Sequence, residues 1–414
     1  MYELAIIWDW LSFAVRWLHV ITAIACIGTS FYFISLDLGL RKNTELSDAI
    51  QGEEWQVHGG GFYHIQKYLV APEQMPEQLT WFKWESYATW LSGFALLAIV
   101  YYASADLYLI NPNVLDITPE IGILISIASI GFGWLIYDVL CKSSFGADST
   151  QLMVLLYIML VALAWGFTQV FTGRAAFIHL GAITATIMSA NVFLIIIPNQ
   201  KKVVADMLAG KAPDPELGWQ AKQRSVHNNY LTLPIIFLML SVHYPLAFAT
   251  EFNWAIASLV FLMGVTIRHY YNSKHARIGK PIWAWLATGL LFTIIIWLST
   301  IQTSRSDEAN SSKLTPSERR FATATHFDKA RDLVQGRCMM CHAKDPGWDG
   351  MVSPPKGVTF ETDAEIARLA REIYLQAGLT QAMPPPYVTL YGISLNSEER
   401  NLLVKWYEGV KDPL

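Results

Sequence analysis

A chain of 414 residues, 53% hydrophobic and only 15% charged, departs from soluble globular composition, in which roughly 25% of residues are charged. Its mean hydropathy of +0.30 points the same way, towards lipid. The net charge of −4 averages over two unlike parts, and no basic stripe with interleaved aromatics is present, which excludes a nucleic-acid surface.

Crossing the hydrocarbon takes about 20 apolar residues per helix. By that measure eight spans are predicted, at 10–36, 87–109, 118–140, 151–172, 175–197, 229–249, 253–271 and 281–300. The first is too long, and wrongly flanked, for a cleaved signal peptide, so it is expected to stay. Trp8, Trp10, Trp81, Tyr101, Tyr102, Trp254 and Trp283 flank the spans as interfacial anchors. Cys26 and Cys141 lie in or beside apolar helices and read as inert buried thiols. One set of connections holds Arg41, Lys42, Lys67, Lys83, Lys142, Lys201, Lys202, Lys211, Lys222, Arg224, Lys274, Arg277 and Lys280, whereas the opposite set holds only Arg174. The positive-inside rule then puts both termini on the outer side of the membrane.

Ionisable side chains at membrane depth are costly and therefore functional candidates. Arg16 and His19 lie in the outer half of the first span, on one helical face. Residues 55–72, "WQVHGGGFYHIQKYLVAP", hold His58, His64 and three consecutive glycines; no phosphate-loop Lys-Ser/Thr follows, so a tight re-entrant or interfacial turn is expected. Arg174 sits at the outer mouth, and His179 and His243 lie a few residues below the outer ends of their spans. His227, His269 and His275 fall near the inner boundary and read as solvated or facing headgroups. A lone intramembrane histidine often just bonds a neighbouring helix. Arg16, His19, Arg174, His179 and His243 share one depth, however, which favours a ligand site. Arg with neutral His suits a planar anion through bidentate hydrogen bonds and proton acceptance; alternatively two of the histidines could ligate a second, non-covalent haem b.

From Gln302 to about Arg319 the sequence turns polar and loses apolar periodicity, as a flexible tether does. Its 18 or so residues would give a reach of about 23 Å. The chain thus divides into a membrane part at 1–301, a linker at 302–319 and a tail at 320–414. In the tail, a helix starting near His326 leads into "GRCMMCHAKD", where Cys338, Cys341 and His342 form the C-x-x-C-H pattern of covalent c-type haem attachment. His342 would supply one axial nitrogen and Met383, in "QAMPPPYVTL", the opposite thioether; Met339, Met340 and Met351 compete less well. Zinc would need two more ligands at fitting spacing, and a thioredoxin-like site a surrounding βαβ pattern, and the sequence offers neither. Asn396 with Glu399 forms a capping-box signature for a last helix presenting Leu402, Leu403 and Trp406 on one face. Haem attachment of this kind takes place outside the cytoplasm, in agreement with the lysine and arginine count. The expected fold is all-α: a polytopic bundle of about eight spans followed by an all-α cytochrome c domain.

"RWLHVITAIACIGTSFYF" (16–33), "VHGGGFYHIQKYLVAPEQMPEQLTWFKWESYATWLSGFALL" (57–97) and "CMMCH" together resemble the integral-membrane urate hydroxylases. The resemblance covers nearly the whole chain. It implies oxidation of urate to 5-hydroxyisourate, with electrons leaving through one covalent haem c to a respiratory-chain acceptor, a cytochrome c or terminal oxidase, and with the oxygen atom taken from water. Only Cys338, Cys341, His342 and Met383 carry over from it, as haem ligands; it assigns no catalytic residue in the bundle. The competing expectation is a membrane-anchored electron carrier or quinol-oxidising subunit with no purine substrate, although a mere anchor would need one span.

Overall fold

A computed structural model describes residues 2–69, 78–111, 114–301, 314, 316–348, 351, 354–385, 388 and 392–410. The membrane part is built from α1 (Tyr2–Gly39), α2 (Trp84–Leu96), α3 (Ala105–Tyr108), α4 (Pro119–Lys142), α5 (Ser149–Thr168), α6 (Gly173–Ala190), α7 (Ile197–Leu208), α8 (Pro215–Leu240), α9 (Asn253–His275) and α10 (Trp283–Thr300). A π-helical turn, Leu97–Tyr102, extends α2, and another, Asn191–Ile196, joins α6 to α7 in one continuous rod.

The helix starts follow local chemistry. Pro119 and Pro215 open α4 and α8, where a missing N–H costs nothing. Asp148 Oδ1 accepts from the amides of Thr150 and Gln151 (2.7 and 3.0 Å), and Thr172 Oγ1 accepts from that of Ala175 (3.1 Å), fixing the first turns of α5 and α6. Inside the bundle, Gly264 of α9 lets the kink at Pro234 of α8 approach, since a Cβ there would stand 2.5 Å from the proline ring.

Six helices are long and apolar enough to cross a membrane on their own: Ile6–Gly39, Pro119–Lys142, Ser149–Thr168, Gly173–Leu208, Pro215–His243 and Trp283–Thr300. The other two predicted spans are also helical, α2 with its π-turn and α9, and pack within the same bundle. α9 is less apolar because its last turns carry Arg268, His269, Asn272 and Lys274.

The bundle has two distinct ends. At one, Phe171 bridges Ile110, the Thr172 amide donates to the Leu109 carbonyl (3.0 Å), and Thr250 Oγ1 donates to the Leu298 carbonyl (3.3 Å). At the other, Gln223 donates to the Gly146 carbonyl (2.7 Å) and Arg41 to that of Ala276 (3.0 Å). The lysine-rich connections gather at this second end. It also carries the main departure from expectation. Residues 50–68 form an antiparallel hairpin, β1 (Ile50–His58) with β2 (Gly61–Tyr68), not a bare turn. Gly59 and Gly60, at φ 60° and 79°, supply the left-handed pair that a tight two-residue hairpin turn demands.

The tail contains α11 (Pro316–Ala322), α12 (Phe327–His342), α13 (Asp363–Arg368), α14 (Ala370–Ile373) with a π-turn at Tyr374–Leu379, and α15 (Ser397–Glu408). Phe327, Val334, Ile366, Leu403 and Trp406 form its core. α12 meets α15 where Phe327 packs on Trp406, whose indole N–H donates to the Phe321 carbonyl (3.0 Å). The capping box at Asn396 and Glu399 is present, with Leu403 and Trp406 buried and Leu402 half-buried.

Candidate functional site where bundle and tail meet

Where α2, α4 and α6 meet near the end opposite the lysine-rich connections, the π-turn after α2 presents Tyr101 and Tyr102 side by side. π-turns insert an extra residue into a helix and often mark functional sites. Tyr102 turns towards Ser126 of α4 (Oη to Oγ, 2.7 Å), and Ser126 in turn lies 2.6 Å from Nε2 of the fully buried His179 of α6. Nδ1 of His179 is 2.7 Å from the Ala175 carbonyl, which accepts only, so the proton sits on Nδ1 and Nε2 accepts from Ser126. The chain Tyr102–Ser126–His179 therefore runs in one direction. Phe171 stacks on the imidazole (ring centroids 4.5 Å apart) and Tyr101 meets it edge-on (6.3 Å).

Arg174, in the first turn of α6, lies over two rings, with its guanidinium carbon 5.6 Å from Tyr108 and 6.0 Å from Tyr101. The tail reaches the same place, since the Tyr108 hydroxyl donates to the carboxylate of Glu372 in α14. Burial, reinforced by the negative charge of Asp9, raises the Glu372 carboxyl from 4.5 to about 7. Three buried polar atoms here have no hydrogen-bond partner among the described residues: Tyr101 Oη, Arg174 Nε and Glu372 Oε2. Each such orphan costs about 1–3 kcal/mol. Three in one neighbourhood mark a place built to take hydrogen bonds from something else.

Of the five candidates, the structure brings Arg174 and His179 together around Tyr101. His19 faces a different side of α2, with Nδ1 3.1 Å from both the Thr89 carbonyl and Ser92 Oγ. Arg16 lies one turn earlier on α1 and is exposed, yet near enough for its charge to act on the Tyr101 hydroxyl. His243 is exposed too, because α8 stops at Leu240 and a short 3₁₀ turn, Ser241–His243, replaces the helix expected to run to 249. Sequence reasoning took Tyr101 and Tyr102 for interfacial anchors; Tyr101 is 5% exposed and belongs to the cluster. Tyr108, Ser126 and Glu372 carried no local signal at all.

His227, expected to be solvated, is buried in a second network nearer the lysine-rich end. Its Nδ1 lies 2.8 Å from Tyr137 Oη, Asn191 Nδ2 donates to Tyr137 Oη and to Asn228 Oδ1 (both 3.0 Å), and Arg224 pairs with Asp138 at 2.8 Å. Arg224 lies over the Tyr137 ring (4.9 Å). This network supplies its own counter-charge and consolidates the bundle. His58 and His64 are on the hairpin, the former exposed, the latter stacked on Trp55 (4.1 Å) and paired with Glu53 (2.6 Å).

In the tail, Cys338 and Cys341 are free, half-buried thiols on the last turn of α12. His342 Nδ1 donates to the Val358 carbonyl (2.9 Å), which fixes the tautomer and leaves Nε2 with the lone pair a metal would need. Met383 is 38% exposed, its amide bonded to the Gln376 carbonyl (2.9 Å) and its carbonyl to Arg400 (3.2 Å). These residues fit a c-type haem. A second, bis-histidine haem fits less well in the bundle, because His179 has both ring nitrogens engaged. Among the described residues, no three His, Cys, Asp or Glu side chains stand close enough to hold a metal ion directly.

The family model for the urate oxidase N-terminal domain matches residues 5–299. The chain belongs to that family. The match spans the whole helical bundle and stops before the tail, so an oxidoreductase function of urate oxidase type attaches to the bundle. No curated protein and no solved structure matches the chain.

Proposed function

We propose that the bundle oxidises urate to 5-hydroxyisourate in the cluster at its outer mouth, in a bacterial inner membrane with the tail outside the cytoplasm. Urate and one water give 5-hydroxyisourate, two protons and two electrons, so the oxygen atom comes from water. Cys338 and Cys341 would hold a c-type haem, with His342 and Met383 as its protein ligands, and that haem would supply one-electron acceptance and contact with a respiratory-chain acceptor.

The bundle's own residues then have three tasks. Arg174 holds the anion, with a planar guanidinium suited to adjacent carbonyl and ring-nitrogen acceptors. The rings of Tyr101 and Tyr108 flank the cation and provide flat walls for a planar heterocycle. A proton leaves through Tyr102 and Ser126 to His179 Nε2, the accepting end of that chain. The observation that carries this reading is the group of three orphan polar atoms where bundle and tail meet.

The test is the rate at which urate reduces the tail haem in membranes bearing Arg174→Met or Tyr101→Phe. Loss of a charge-assisted hydrogen bond removes about 1.5–3 kcal/mol, so Arg174→Met should lower kcat/KM by at least tenfold. Wild-type rates in both variants would refute the assignment. Haem reduction by quinol and not by urate would instead identify an electron carrier.

A further inference from the structure

At the lysine-rich end, α1, α8 and α9 line a half-open cleft of about 290 Å³, bounded by Phe31, Leu233, Ile267, Arg268, Tyr271 and His275. Its volume lies near the lower end of the range for small-molecule sites, ~300–1,000 Å³. The guanidinium of Arg268 lies 4.2 Å from the centre of the Phe31 ring. Two neutral amides hold it, Nε donating to Asn229 Oδ1 (3.1 Å) and Nη2 to Asn272 Oδ1 (3.0 Å). Arg268 is 7% exposed, and neither of these bonds brings it a negative charge. A buried cation with neutral partners is costly at membrane depth.

A second observation points to a ligand. Asn229 is fully buried and its Nδ2 has no hydrogen-bond partner, one helical turn before the lining residue Leu233. Asn229 Oδ1 already accepts twice, from Arg268 and from Asn272 (3.0 Å), so the amide is fixed with its donor end free. On the third wall His275 is held by Ser35 (2.8 Å to Nδ1), which leaves Nε2 available. The polar equipment is therefore donor-rich and cationic, with the Phe31 and Tyr271 rings among the lining.

We propose that this cleft is a second binding site, for a planar, carbonyl-rich anion of purine size. On the reading given above that anion is urate, captured at the end opposite the tail before it reaches the outer mouth. The occupant carries its negative charge to Arg268, accepts from Asn229 Nδ2, and lies against the aromatic lining.

The test is equilibrium dialysis of radiolabelled urate against the full haem-loaded chain in lipid nanodiscs, alongside urate-driven haem reduction. Wild type should bind two urates per chain. Arg268→Gln should bind one and keep its maximal haem-reduction rate at saturating urate, and Phe31→Ala, which leaves the amide clamp intact, should weaken the same site about tenfold. Arg174→Met should lose the other site together with turnover. A single urate in wild type, or two retained in Arg268→Gln, overturns the proposal. Loss of all turnover in Arg268→Gln with none in Arg174→Met overturns it as a second site and removes the outer-mouth assignment as well.

Discussion

Glu372→Gln isolates the contact between bundle and tail. Burial and the charge of Asp9 move this carboxyl from 4.5 to about 7 when the tail is docked. The docked form therefore retains a proton that the undocked, solvated form has lost. For an acid raised on docking, the contribution is complete below the solvated value and disappears as pH rises to the docked value. Docking should thus weaken about tenfold per pH unit from 4.5 to about 7 and then level off. The full span, about 2.5 units at 1.36 kcal/mol each, is about 3 kcal/mol. Tyr108 and Tyr407 face the same region, with Asp9, Arg371 and Asp106 the charged groups around them, and burial pushes the Tyr407 hydroxyl up, away from this window. Glutamine mimics the neutral carboxyl, so Glu372→Gln should stay docked across the range. Amide hydrogen exchange of residues 370–379, corrected for intrinsic rates and followed from pH 5 to pH 8, reads docking directly. Wild-type protection should fall over that interval and the variant's should hold. Protection that is flat in wild type, or that falls equally in both, would refute the argument.

Gly93→Ala places a Cβ 2.9 Å from Cε1 of His19. Overpacking of this kind costs about 1–3 kcal/mol, so the thermal midpoint in detergent should drop. Asp138→Asn leaves Arg224 buried beside a neutral group, a loss of about 3–5 kcal/mol. The yield of folded protein should fall sharply, and the double variant Asp138→Asn, Arg224→Met should recover part of it. Asn396→Ala removes the side chain that caps the last helix, a loss of about 1 kcal/mol. Faster amide exchange confined to residues 397–408 should report it.

The spans were legible wherever hydrophobicity alone decides. The predicted 118–140 and 281–300 fall on Pro119–Lys142 and Trp283–Thr300 because a lipid-facing helix must be apolar on most sides. Asn396 and Glu399 were legible for a local reason, since the capping box closes within four residues. The hairpin was hidden because its glycine run looked like a loop, although Gly59-Gly60 between stretches holding Trp55, Val57, Phe62 and Tyr63 is a hairpin signal. His243 was misplaced because hydropathy continues past Leu240 while the backbone does not, with Pro245 close behind. Tyr101 shows the deeper limit. A tyrosine at the end of a span reads identically as a headgroup anchor or as a site residue, and only the π-turn separates them. Glu372 could not be found at all, since its partner Tyr108 is 264 positions away.

Three arginines, Arg224 and Arg268 buried and Arg174 half-buried, sort by where their counter-charge comes from. Arg224 has Asp138 at 2.8 Å, with Tyr137 and Asn191 beside it, and the pair is complete without anything bound. Arg268 has only the amides of Asn229 and Asn272, and one of those amides has an unpartnered donor. Arg174 has aromatic faces and an unpartnered Nε, and the carboxyl that the tail brings to neighbouring Tyr108 holds its proton up to about pH 7. In a low-dielectric interior an uncompensated cation is tolerated only if something repays its lost hydration. The chain repays it internally once. At the other two positions none of the bonds described brings a carboxylate to the guanidinium, as anion binding there would require, and the two lie towards opposite ends of the bundle. A substrate that is itself a planar anion meets that requirement at both, which is why an arginine lacking a carboxylate partner says more here about ligand binding than the number of histidines does.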